Sequence, residues 1–82
     1  MLNQKDLLEK IRQAFVKVLE HEDFVLTENS TTKDIDGWSS LTHMMIITKI
    51  ESDFNIKFKL IDLMRMENVG DLIVAIQNSQ NL

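Results

Sequence analysis

Two stretches of this chain repeat their apolar residues at the three- and four-residue steps of an α-helix, and that period limits the fold most. In residues 3–20 the repeating set is Leu7, Leu8, Ile11, Ala14, Phe15, Val18 and Leu19, with Lys10, Arg12 and Lys17 mainly on the other face. Asn3, with Asp6 three residues on, reads as an N-cap for this helix. In the second stretch Leu41, Met44, Ile47, Ile50 and Phe54 are expected to share the inward face, with Met45 and Ile46 widening it. Strands would need a period of two, which neither stretch has.

Between them, residues 21–39 show no sustained period. Phe24, Leu26 and Ile35 stand among Thr, Ser, Asn and Asp, a composition that marks a loop. So long a connection is expected to fold back on the core, pinned by those three apolar residues. After the second helix, Asn55 is placed to end it in a turn conformation, and Ile56-Lys57-Phe58 reads as a short extended connector. Leu60–Met66 suggests a short third helix. Asn68 caps a fourth, with Asp71 in its first turn and Val69, Leu72, Ile73 and Ile76 as its apolar face. Gln77–Leu82 is polar and expected to fray. The expected fold is all-α: a four-helix bundle with a short third helix and a long loop between helices one and two, in a single domain over residues 1–82.

Composition removes several function classes. Thirteen acidic against nine basic residues give a net charge of −4, the wrong sign for a protein that grips nucleic-acid phosphates. The longest apolar runs, Met44–Ile47 and Leu72–Ile76, are far short of a membrane span. Lys5, Asp6 and Glu9 interrupt the N-terminus where a signal peptide would be apolar, so a cytoplasmic protein is expected. There is no cysteine, which excludes a disulfide scaffold and a cysteine-based metal site. His21 and His43 form no ligand-spaced cluster, and no metal is expected.

The segment Asp36-Gly37-Trp38-Ser39-Ser40-Leu41 joins the loop to the second helix. Gly37 permits a turn that other residues resist. Ser39 is the expected N-cap and Ser40 the first helical residue, its hydroxyl exposed at a helix start, where negative charge is favoured. Trp38 reads as a packing anchor, and His43 as a solvent- or partner-facing residue. Ser40 and His43 could share a helix face as nucleophile and base. That reading lacks a shielded pocket, an orienting group and the G-x-S-x-G pattern, since residue 42 is Thr.

The run D-G-W-S-S-L-T-H-M, followed by E-S-D-F-N-I-K-F, resembles the modification segment of the acyl carrier protein family. In that family a serine followed by leucine carries a 4′-phosphopantetheine arm taken from coenzyme A. Phe54 follows Ser40 by fourteen residues, as an aromatic does in the family, so Ser40 rather than Ser39 is in register. The family's usual aspartate before that serine is Ser39 here. The resemblance implies a non-enzymatic carrier, expected to be monomeric, that holds an acyl group as a thioester. Its partners would be a Mg²⁺-dependent phosphopantetheinyl transferase and the enzymes that load and transfer the acyl group. Family members dock through helix two, which here displays Thr42, His43, Met45, Lys49 and Glu51. An acyl chain can slip between the helices of such proteins, and Ile47, Ile50, Phe58, Leu63, Met66 and Leu72 would line that space. The G-W-x-S-L-T-H wording resembles stand-alone carriers of polysaccharide or secondary-metabolite assembly more than the fatty-acid carrier. The competing reading is a helical protein-interaction module without a prosthetic group, using Leu41–Phe54 as a groove-binding element.

Overall fold

The computed structural model describes residues 4–81, and the expected cap Asn3 lies outside them. Among the described residues the order is α1 (Gln4–Leu19), α2 (Ser40–Phe54), β1 (Ile56–Lys57), α3 (Leu60–Met64), α4 (Val69–Asn78) and β2 (Gln80–Asn81). The all-α bundle with a short third helix and a long first loop is therefore the observed architecture. None of the described helices is long and apolar enough to cross a membrane.

α1 buries the face its period marks. Leu7, Ile11, Ala14 and Phe15 are inside, with Leu8, Val18 and Leu19 packed partly against them. The helix stops at Glu20, whose left-handed backbone (φ 62°) lets its N–H donate to the Val16 carbonyl at 2.9 Å. Phe15 is the centre of an aromatic group: its ring meets Trp38 edge-on at 4.8 Å and Phe24 at 6.2 Å.

The first loop does fold back on the core. Leu26, Ile35 and Trp38 are buried, and Phe24 is half-buried under the Arg12 guanidinium. His21 ties the loop's beginning to its end. Its Nδ1 accepts the Asp23 N–H at 3.1 Å, which leaves Nε2 as the protonated nitrogen donating to the Asp36 carbonyl at 2.7 Å. The loop also supplies acceptors for the start of α4: Val69 N–H donates to the Ser30 carbonyl and Gly70 N–H to that of Glu28. A Cβ at Gly70 would sit 3.1 Å from the Glu28 carbonyl oxygen, so a side chain here would have to push the loop back by a few tenths of an ångström.

The inward face of α2 differs from the expected one. Ile46, Ile47 and Ile50 are buried and Phe54 is partly buried, but Leu41 is 74% and Met44 53% exposed. At about 100° per residue Leu41 lies roughly 180° around the helix from Ile50, whereas His43 lies within about 20° of it. The inward line therefore runs His43, Ile46, Ile47, Ile50, Phe54, and begins on a polar residue that an apolar pattern skips.

Asn55 ends α2 in the left-handed conformation (φ 55°, ψ 51°), as expected. The Glu51 carboxylate then accepts the Phe58 N–H at 3.0 Å, fixing the connector that buries Ile56 and Phe58. α3 closes two residues earlier than expected and contains no buried residue. α4 is capped by Asn68, whose side chain accepts from Asp71 N–H at 2.8 Å, and it buries Val69, Leu72, Ile73 and Ala75. The expectation that Gln77–Leu82 frays is corrected within the described residues. α4 continues to Asn78, and Gln80–Asn81 pairs antiparallel with Lys57 and Ile56 as β2. Backbone pairing of this kind is independent of the polar side chains that made the segment look loose.

Candidate functional site

The junction of the first loop with α2 holds the two serines and the residues packed around them. Gly37 turns the chain with φ 88°, and Trp38 follows as a buried anchor 5% exposed. Ser39 takes an extended N-cap conformation and forms a capping box with Thr42. Its Oγ accepts the Thr42 N–H at 3.4 Å, while its own N–H donates to Thr42 Oγ1 at 2.7 Å. The Thr42 hydroxyl in turn donates to the Gly37 carbonyl at 2.7 Å. Gly37, Ser39 and Thr42 thus form a closed polar ring around the helix start.

Ser40 stands outside that ring. It is the first residue of α2 and exposed, and its hydroxyl has no hydrogen-bond partner among the described residues. The N–H groups of Ser40 and Leu41 lack intrahelical acceptors by the geometry of any helix start, which favours an anion near that hydroxyl.

Beside Ser40 runs a groove of about 340 Å³ bordered by Trp38, Ser39, His43, Met44 and Met66. Trp38 and His43 are joined within it: indole Nε1 donates to His43 Nδ1 at 3.1 Å. His43 is half-buried, and burial pushes its imidazole below the ordinary histidine value. It is therefore less open to solvent than expected. The signal for this contact lay in the spacing, since His43 falls in line with Ile50 on the buried face. A second groove, also about 340 Å³, lies between α1 and α2 and is lined by Lys10, Lys17, Lys49, Asp53 and Phe54. Ser40 does not border it.

The other residues marked by sequence have distinct surroundings. On α2, Thr42 is engaged in the cap, Lys49 pairs with Asp53 at 3.0 Å, and Glu51 holds the Phe58 N–H. Met45 is 50% exposed. Ile47, Ile50, Phe58 and Leu72 are buried in the core, and Leu63 and Met66 are half-buried against it. Of those six, Met66 borders the groove beside Ser40.

No protein-family model and no curated protein sequence matches the chain. Solved structures do. The holo acyl carrier protein of Geobacter metallireducens, determined in solution by NMR, is 37% identical over 87% of this chain and 82% of its own, with a TM-score of 0.77. A protein of Mycobacterium tuberculosis provisionally described as an acyl carrier protein is 26% identical over 88% of this chain and 96% of its own, with a TM-score of 0.75. The chain belongs to the acyl carrier protein family. Its four helices and long first loop are those of an acyl carrier protein bundle, and the likeness spans most of both neighbours. Within that family frame the two adjacent serines are unequal: one is locked in a cap, and the other has no hydrogen-bond partner among the described residues.

Proposed function

We propose that Ser40 carries a 4′-phosphopantetheine arm, and that the protein holds an acyl group on that arm as a thioester and presents it to partner enzymes. The observation that supports this most is the Ser40 hydroxyl, exposed and unpartnered among the described residues on the first turn of α2. The surroundings fit the group. Unpaired helix-start N–H groups suit a phosphodiester, and the groove beside Ser40 offers Trp38, Met44 and Met66 to the apolar parts of a chain. The arm supplies the thiol that a chain without cysteine lacks.

Attachment is a substitution at phosphorus. Ser40 Oγ attacks the phosphorus of coenzyme A that bears pantetheine, forming a new P–O bond. The bond to adenosine 3′,5′-bisphosphate breaks, and the hydroxyl proton passes to a base of a separate phosphopantetheinyl transferase. The Ser39–Thr42 ring holds the helix start still while the neighbouring hydroxyl reacts. Ser39 can occupy the position where the family has aspartate because a serine oxygen caps as well as a carboxylate does.

In this reading α2 is the docking surface, through Thr42, His43, Met45, Lys49 and Glu51, and it relies on packing more than on charge. Lys49 and Asp53 neutralise one another, and Glu51 is tied to the backbone of the following connector. Ile47, Ile50, Phe58, Leu63, Met66 and Leu72 are the residues that would part around a sequestered acyl chain. The G-W-x-S-L-T-H segment resembles stand-alone carriers of polysaccharide or secondary-metabolite assembly more than the fatty-acid carrier, and that likeness supports a cargo from the former pathways.

The test is intact-protein mass after incubation with coenzyme A, Mg²⁺ and a broad-specificity transferase. A gain of one phosphopantetheine, lost in Ser40→Ala, is the expected result. An unmodified protein, with Ser39→Asp also unmodified, would overturn the proposal in favour of a plain interaction module.

A further inference from the structure

The tautomer of His43 follows from its neighbour. An indole N–H can only donate, so the 3.1 Å contact from Trp38 requires His43 Nδ1 to be unprotonated. A neutral His43 therefore carries its proton on Nε2. Nε2 makes no hydrogen bond among the described residues. His43 borders the same groove as Ser40, three residues further along the helix, where side chains are neighbours about 5–6 Å apart at Cβ. The ring cannot readily turn away, because Trp38 is itself buried edge-on against Phe15 at 4.8 Å. The result is a single N–H donor, on a ring tethered to the buried Trp38 and bordering the same groove as the hydroxyl proposed for modification.

Building on that reading of Ser40, we propose that His43 is the positioning residue for the arm: its Nε2–H donates to a phosphate oxygen of the phosphodiester on Ser40 and holds the arm's first segment in the groove. Trp38 sets the geometry by occupying Nδ1. A phosphodiester presents only acceptors, so the polarity of the contact matches the tautomer that Trp38 enforces. The pair thereby links the aromatic core around Phe15 to the orientation of the arm.

The charges around the imidazole decide how the contact would be read. Glu67, on the turn between α3 and α4, is the charged side chain that borders the groove, while Thr32, Met44, Met66 and Asn68 bring none. Burial already favours the neutral ring. A phosphodiester added at hydrogen-bond distance favours the charged ring, so loading moves the His43 titration upward. Protonation puts a second hydrogen at Nδ1 facing the indole N–H, so the Trp38 contact opens as His43 becomes charged.

The experiment follows wild-type protein before and after loading, with uptake checked by intact mass. The ¹⁵N resonances of His43 report tautomer and titration, and the ³¹P resonance of the diester reports its surroundings. A phosphodiester does not itself titrate near neutrality, so a ³¹P inflection there comes from a neighbour. The expected result has three parts: one Nε2–H tautomer in the unloaded protein, an upward shift of the His43 midpoint on loading, and a ³¹P inflection at that midpoint. In loaded His43→Phe the ³¹P inflection disappears, and in Trp38→Phe the unloaded protein shows both tautomers. A loaded protein with a flat ³¹P profile and an unmoved His43 midpoint overturns the role of His43 alone. A protein that takes up no arm overturns the reading of Ser40, and this role with it.

Discussion

Ser39 and Ser40 are neighbours with the same side chain, and the helix start gives them opposite situations. Ser39 Oγ is held by the Thr42 N–H, whereas Ser40 Oγ faces solvent. Removing the first should therefore harm folding and spare modification. Ser39→Ala is expected to lower stability by about 1 kcal/mol, the usual cost of losing an N-cap. Urea unfolding measures that loss, and uptake of the arm should persist in the same variant. His43 makes a second residue-scale prediction, whose sign follows from burial. Its folded-state pKa is depressed, so the unfolded chain binds more protons as pH falls below the ordinary histidine value. The stability this contributes is present above about pH 6.5 and is lost as pH falls through the lower folded value. Unfolding followed between about pH 8 and about pH 5 should show a slope that is shallower in His43→Gln.

At the scale of elements, what could be read from the chain depended on whether local rules decided it. Ser39, Asn55 and Asn68 were legible as helix ends because capping and left-handed turns are properties of a few adjacent residues. The unequal standing of Ser39 and Ser40 was legible for the same reason. The inward face of α2 was not, because Leu41 and Met44 are apolar yet exposed, while the half-buried His43 opens the line of buried residues. An apolar pattern carries no mark for a polar residue satisfied by a partner such as Trp38. The pairing of β1 with β2 was equally hidden, since it joins backbones some two dozen residues apart in sequence. Glu51 illustrates the same gap: the family resemblance put it on the docking face of α2, but its carboxylate accepts the Phe58 N–H at 3.0 Å. Glu51→Ala should leave that part-buried donor unsatisfied and cost about 1–2 kcal/mol. Hydrogen exchange at Phe58 should quicken with it. An unchanged Phe58 rate would show that the contact does not hold the connector.

For the whole molecule, the long first loop is the element that joins function to fold. It contributes Trp38 to the Phe15 aromatic group, carbonyl acceptors to the start of α4, and the capping segment that begins α2. The helix start is thus built on the bundle's core, although Ser40 itself is at its surface. A chain of 82 residues buries a limited share of its surface on folding, so its reserve of stability is small. Truncation of Phe15 or Trp38 to alanine is therefore expected to disturb site and fold together, whereas Ser40→Ala removes only an exposed hydroxyl. That separation makes one measurement decisive. Wild-type protein loaded by a transferase is fragmented in a mass spectrometer by a method that preserves the phosphodiester, and the modified residue is located. One phosphopantetheine on Ser40 and none on Ser39 is the expected result. Modification of Ser39, or of neither serine, would contradict it.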